Sequence, residues 1–214
     1  QFINLLSKKI NNNFNNLEKI DLKFLKEMRQ NYFQTRNNFS IFNNKKIYID
    51  KMPLNLIYTG EIVRFFPNAK FIFVIRNPYD AVLSSFMQQF LPNDAMLNLT
   101  NIKDATQLYD LVMNLWLKYN DIFNLNVHTI KYEDVVQNFD ETIKNLVNFL
   151  NLRWNDKLSE FYKISAKRGI INTPSYDQVN KPLYNKSINR WVNYEIKFSD
   201  SKKILNKWVK KFNY

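Results

Sequence analysis

The sequence contains no cysteine, which excludes disulfide staples and thiolate metal sites from any account of its fold or chemistry. Glycine is almost as scarce, with only Gly60 and Gly169 in 214 residues. A glycine-rich phosphate loop, which needs several such residues where a strand turns into a helix, has no material here. There is one histidine, His128, and no His, Asp and Glu cluster at metal-ligand spacing. No signal peptide is visible and no apolar run is long enough to cross a bilayer, so the expectation is a soluble, cytoplasmic protein without a membrane partner.

What is present is positive charge. Lys and Arg number 31 against 19 Asp and Glu, a formal net charge of +12, which invites a nucleic-acid or polyanion partner. The chain is also saturated with Asn, Lys and Ile, the bias an A/T-rich coding sequence produces, so lysines carry little information singly. Arginines number only seven, and Arg76, Arg168 and Arg190 stand out against that background. Nucleic-acid binding would need basic residues interleaved with exposed stacking aromatics. Here most aromatics fall at core periods, so nucleic acid is not the expected partner.

The most informative segment runs from Lys70 to Phe90. Phe71 to Ile75 is a continuous apolar run of the kind found in a central parallel strand covered on both faces. Pro78 sits where helices begin. Arg76 is left at the strand's carboxyl end, where open α/β sheets bind ligands, and Ser84 follows on the helix. The layout is that of an anion site; an ordinary strand-loop-helix with Arg76 in a surface ion pair fits this segment equally well.

Around it the pattern predicts a helix over 17–32, a strand over 46–50 and a helix over 54–66. Then come the strand before Arg76, the helix after Pro78, a loop over 91–101, a long helix over 104–123, a strand over 127–132 and a helix over 133–150. Alternation of this kind argues for a parallel sheet with crossover helices. The rest is read as a helix over 154–165, an irregular stretch to 185, and short helices near 187–194 and 199–212 whose lysines form a solvated face. Residues 1–44 are expected to be a helical part of the same domain as a 45–214 core. Because the chain opens at Gln1, it is expected to be a fragment.

Two further segments carry candidates. In Tyr48-Ile-Asp50-Lys51-Met-Pro53 a lysine follows a predicted strand, on the sheet edge that holds Arg76; as a point charge it suits a phosphate or a leaving oxygen. From Asn172 to Trp191 runs a long polar and aromatic loop with Ser175, Tyr184 and Arg190, whose length and prolines favour an ordered lid.

Taken together, these residues resemble the PAPS-dependent sulfotransferases, where PAPS is 3′-phosphoadenosine 5′-phosphosulfate. The likeness is nearest to bacterial sulfotransferase domains linked to tetratricopeptide repeats and to tyrosylprotein sulfotransferases. It runs from about Lys45 to Trp191. It rests on Asp50-Lys51-Met-Pro53, on Phe66-Pro67-Asn68-Ala69-Lys70 leading to Arg76-Asn-Pro-Tyr-Asp and Ser84, on Tyr132-Glu133-Asp134, and on Ser175-Tyr-Asp-Gln178 with Lys181-Pro182 and Arg190-Trp191. The resemblance implies an α/β, P-loop-kinase-like parallel sheet flanked by helices. It implies PAPS as co-substrate without a metal, and a hydroxyl acceptor on a peptide, carbohydrate or small molecule. By the same likeness Arg76 and Ser84 hold the 3′-phosphate, Lys51 is the catalytic residue at the leaving oxygen, Tyr132 lies on the adenine side, and Ser175 and Arg190 belong to the lid. His128 matches no role and is read as a strand residue. The family's 5′-phosphosulfate loop and its general base have no counterpart, so the first strand-loop-helix unit is expected upstream of Gln1, with room there for fused or associated tetratricopeptide repeats. The alternatives are a degenerate domain that binds a nucleotide or sulfated polymer without turnover, and, less favoured, a nucleic-acid-binding protein.

Overall fold

The computed structural model of the protein describes residues 20–37, 47–88, 90, 91, 93–167 and 180–214. The chain divides into two compact units, Gln1–Ala69 and Lys70–Tyr214.

The described part of the first unit holds two α-helices. Helix α1 (Leu22–Asn37) starts beside Asp21, whose carboxylate accepts the Phe24 amide at 2.7 Å, and α2 spans Thr59–Phe65. Ile20, Leu25 and Met28 pack around Phe65, which is wholly buried. Two arginines lock the pair: Arg29 Nε donates to the Phe65 carbonyl, and Arg64 donates to the Ile20 carbonyl at 3.2 Å. The helix expected over 54–66 is divided, because Pro53 opens a 3₁₀ turn (Pro53–Leu56) before α2 begins. The strand expected over 46–50 is not formed at the described positions 47–50. A strand needs a ladder partner, and Ile47 and Ile49, which a sheet would cover, are 51% and 65% exposed.

The second unit holds the sheet. Strands β1 (Phe71–Ile75) and β2 (Val127–Lys131) pair in parallel, in register from Phe71 opposite Val127 to Ile75 opposite Lys131, and form the only sheet among the described residues. Helices α3 (Pro78–Phe86) and α4 (Ile102–Phe123) connect them. Past β2 come α5 (Tyr132–Gln137), α6 (Phe139–Phe149), α7 (Phe161–Lys167), a kinked 3₁₀ segment (Arg190–Ser201) and α8 (Lys202–Phe212). The mixed α/β architecture with a parallel sheet is the one expected. The single helix expected over 133–150 is two, broken where Asn138 leaves helical geometry at φ −142° and ψ 64°.

One face of the sheet is closed by stacked aromatics. Phe73 lies 4.7 Å from Trp116 of α4, and Phe212 of α8 packs edge-on against Phe73. On the other face His128 stacks on Phe149, a local packing role of the kind expected for it. Cover is incomplete there, since Val74 is 61% exposed. The expectation that β1 is buried on both faces is therefore corrected: its hydrophobicity exceeds what the described elements enclose. A second cluster joins Tyr79 and Leu83 of α3, Ala105 of α4, and Phe198 and Leu205 near the C-terminus.

Asparagine does glycine's work in this chain. Among the described residues the four non-glycine positions with positive φ are Asn124, Asn151, Asn189 and Asn213, and asparagine tolerates the left-handed region better than other side chains. Asn124 and Asn213 end α4 and α8 in this way. All five lysines of α8 are exposed as expected, and of these Lys202 pairs with Glu195 at 2.7 Å and Lys207 with Asp110 at 3.0 Å. Among the described residues no helix is long and apolar enough to cross a membrane.

Candidate functional site

The parallel register creates the site. Because Ile75 sits opposite Lys131, the next residues of the two strands, Arg76 and Tyr132, emerge side by side at the carboxyl edge of the sheet. The Arg76 guanidinium carbon lies 5.0 Å from the Tyr132 ring centroid, a cation–π contact. Beyond it opens a cleft of about 100 Å³. Its polar wall includes Arg76, Asp80, Ser84, Tyr132, Ser187 and Arg190, while Leu83 and Met87 supply apolar surface.

Local sequence explains how α3 aims its side chains. Asn77 caps the helix by accepting the Tyr79 amide at 3.0 Å, and Pro78 fixes the first helical turn. The Asn77 amide donates to Glu133 at the start of α5, at 3.0 Å, and the other oxygen of Glu133 accepts the Tyr214 hydroxyl at 2.8 Å. That carboxylate ties the loop after β1 to the helix after β2.

Arg76 is incompletely satisfied. One terminal nitrogen donates to the Ser187 carbonyl and stands 4.0 Å from Asp80, but Nε is buried without a hydrogen-bond partner among the described residues. An unmade hydrogen bond of a buried donor costs about 1–3 kcal/mol, more when the group is charged. Ser84 faces the same cleft, half-buried, and its hydroxyl has no partner among the described residues. Its neighbour Ser85 instead returns its hydroxyl to the Ala81 carbonyl at 2.9 Å.

Asp80 is 1% exposed and accepts two backbone amides, from Asn189 at 2.7 Å and Trp191 at 2.8 Å. Burial pushes its carboxyl above the ordinary range; the two amides and Arg76 oppose that shift without cancelling it. Burial also pushes the Tyr132 phenol up, against the pull of Arg76.

Of the residues singled out from sequence, Arg76, Ser84, Tyr132 and Arg190 converge on this cleft, Arg190 at its exposed rim. Lys51 belongs to the first unit, exposed in the extended segment before the Pro53–Leu56 turn. Ser175 and Arg168 lie outside the described residues. Asp80, Glu133 and Ser187 were not singled out. The first two read as ordinary acids in the first turn of a helix, and Ser187 takes part through its backbone carbonyl, bonded by Arg76, and through its side chain, bonded to Tyr132. Among the described residues no three His, Asp or Glu side chains are grouped to hold a metal.

Fold and cleft define an α/β domain with a cation-lined cleft at the carboxyl edge of parallel strands. Comparison with known proteins makes this specific. The chain belongs to the sulfotransferase family, a family of transferases, whose model matches residues 6–156. It is 31% identical over 167 residues to an uncharacterized protein of Aquifex aeolicus, covering 76% of this chain and 21% of that protein. To the protein-tyrosine sulfotransferase of Drosophila melanogaster it is 26% identical over 150 residues, 67% of this chain and 29% of the relative. The chain thus spans well under half the length of these two relatives. Among solved structures it is similar to a sulfotransferase domain from the curacin biosynthetic pathway, with a TM-score of 0.62 at 19% identity, covering 87% of this chain and 68% of that one. That likeness speaks to the fold.

Proposed function

We propose that the cleft takes the 3′-phosphate of PAPS, and that the protein transfers the sulfuryl group of this co-substrate to a hydroxyl such as a peptide tyrosine or a carbohydrate. The observation that carries the reading is the pair of donors at one mouth without a partner among the described residues, the buried Arg76 Nε and the Ser84 hydroxyl. A phosphate supplies acceptors for both, in charge-assisted bonds stronger than neutral ones. Tyr132, already packed beneath Arg76, offers a ring for the adenosine side. Arg190 and Ser175 belong, in this reading, to a lid that excludes water from the charged site.

Sulfuryl transfer resembles phosphoryl transfer in passing through a loose, in-line transition state, so positioning and charge do most of the work. The bond from sulfur to the bridging phosphate oxygen breaks as a bond to the acceptor oxygen forms, and a base removes the acceptor's proton. Lys51 is assigned to the negative charge growing on the bridging oxygen. With two glycines, this chain has little material for a glycine-rich loop around the 5′-phosphosulfate. Residues 1–214 alone are accordingly expected to bind nucleotide without detectable transfer.

The test is calorimetric titration with adenosine 3′,5′-bisphosphate and with adenosine 5′-monophosphate. A clear preference for the bisphosphate supports the assignment. Equal affinities overturn it.

A further inference from the structure

We infer that Asp80 is a positioning residue for this phosphate site: its carboxylate clamps the backbone turn at Asn189 to Trp191 and so sets the cleft wall against Arg76. The inference rests on the proposed reading of the cleft. An acid in the first turn of a helix ordinarily serves its own helix's amides or dipole. Asp80 does something else. Its two oxygens take the amides of Asn189 and Trp191, 109 and 111 residues away in sequence. Asn189 adopts the left-handed conformation, φ 56° and ψ 22°, which turns nearby amides toward one point and makes a small anion receptor. The anion it receives is Asp80.

Arg76 holds the same turn from the other side through the Ser187 carbonyl. Asp80 and Arg76, 4.0 Å apart, therefore grip the amides and a carbonyl of one short segment, and that segment carries Ser187 and Arg190 into the cleft. The adjacent Tyr79 ring stacks on Trp191 at 4.3 Å and closes the grip. The geometry and the charge make opposite demands. A negative carboxylate beside Arg76 weakens the pull on an incoming phosphate, so a site built for attraction alone would be better without it. Its place there is explained if holding the wall matters more than the charge it subtracts.

Asp80→Asn separates these effects, because it removes the charge and one acceptor with little change of size. Clamping predicts that the preference for adenosine 3′,5′-bisphosphate over adenosine 5′-monophosphate falls about tenfold, the effect of one misplaced hydrogen bond, and that the Asn189 and Trp191 amides exchange hydrogen faster. Simple electrostatics predicts a larger preference, and a general structural role predicts equal losses for both nucleotides; either result overturns the inference. Asp80→Glu, which keeps the charge but shifts the oxygens, should lose the preference as well and serves if the asparagine variant does not fold. If the parent chain itself shows no preference, the phosphate reading fails. Amide exchange at Asn189 and Trp191 then judges the clamp alone, and unchanged exchange rejects it.

Discussion

Replacing Arg76 with lysine keeps a positive charge at the strand end and removes the planar fork. In the parent the guanidinium rests 5.0 Å from the Tyr132 ring centroid, donates to the Ser187 carbonyl and keeps Nε without a partner among the described residues. An ammonium on a flexible stem can satisfy the Ser187 carbonyl or the phosphate, but it cannot present two fixed donors to both. The variant therefore loses one charge-assisted hydrogen bond to the phosphate, about 1.5–3 kcal/mol, or roughly 10- to 150-fold in affinity. Arg76→Ala falls at the upper end, because it also strips the buried Asp80 carboxylate of its nearest cation. Calorimetry with adenosine 3′,5′-bisphosphate measures the loss, and adenosine 5′-monophosphate, without a 3′-phosphate, should change by less than about twofold. Unchanged bisphosphate affinity, or equal losses for both nucleotides, would refute the reasoning.

Ser84→Ala should weaken bisphosphate binding by about 1 kcal/mol and leave the melting temperature unmoved, whereas Ser85→Ala, whose hydroxyl is spent on Ala81, should not change binding. Lys51→Ala in a complete enzyme should lower kcat on the order of a hundredfold with a smaller change in cofactor affinity; parental kcat with lost affinity would make it a phosphate anchor. Acid should loosen the packing of α8 on α4. Burial raises the Asp110 carboxyl, but hydrogen bonds from Lys207 and Trp208, at 3.0 and 2.7 Å, overcome this and hold it below its ordinary 3.8. Its stabilisation is thus present above that value and lost as pH falls through the lowered one. Thermal unfolding from about pH 5 to about pH 2.5 should show a smaller decline for Asp110→Asn than for the parent, and equal declines would contradict the assignment.

The parts of this fold legible in sequence were those where local signals agree. The apolar run into Arg76, the proline after it and the periodicity of residues 104–123 each specify one element, and those elements formed. Residues 47–50 show the opposite case. Alternating isoleucines satisfy the strand pattern, yet a strand exists only if another chain segment pairs with it, and periodicity holds no information about partners. The site divides the same way. Arg76 and Ser84 could be placed at one cleft from the strand, proline and helix that carry them, and Tyr132 only through the family resemblance. The Asp80 clamp was not legible, because its partners are backbone amides brought near by tertiary folding, and an amide leaves no mark in a sequence.

The most direct measurement is a crystal structure of the protein with adenosine 3′,5′-bisphosphate. The 3′-phosphate should lie within about 3 Å of both the Arg76 guanidinium and the Ser84 hydroxyl, with Asp80 still bonded to the Asn189 and Trp191 amides. A nucleotide bound elsewhere, on the lysines of α8 for example, or one with its 3′-phosphate turned away from Arg76, would contradict it.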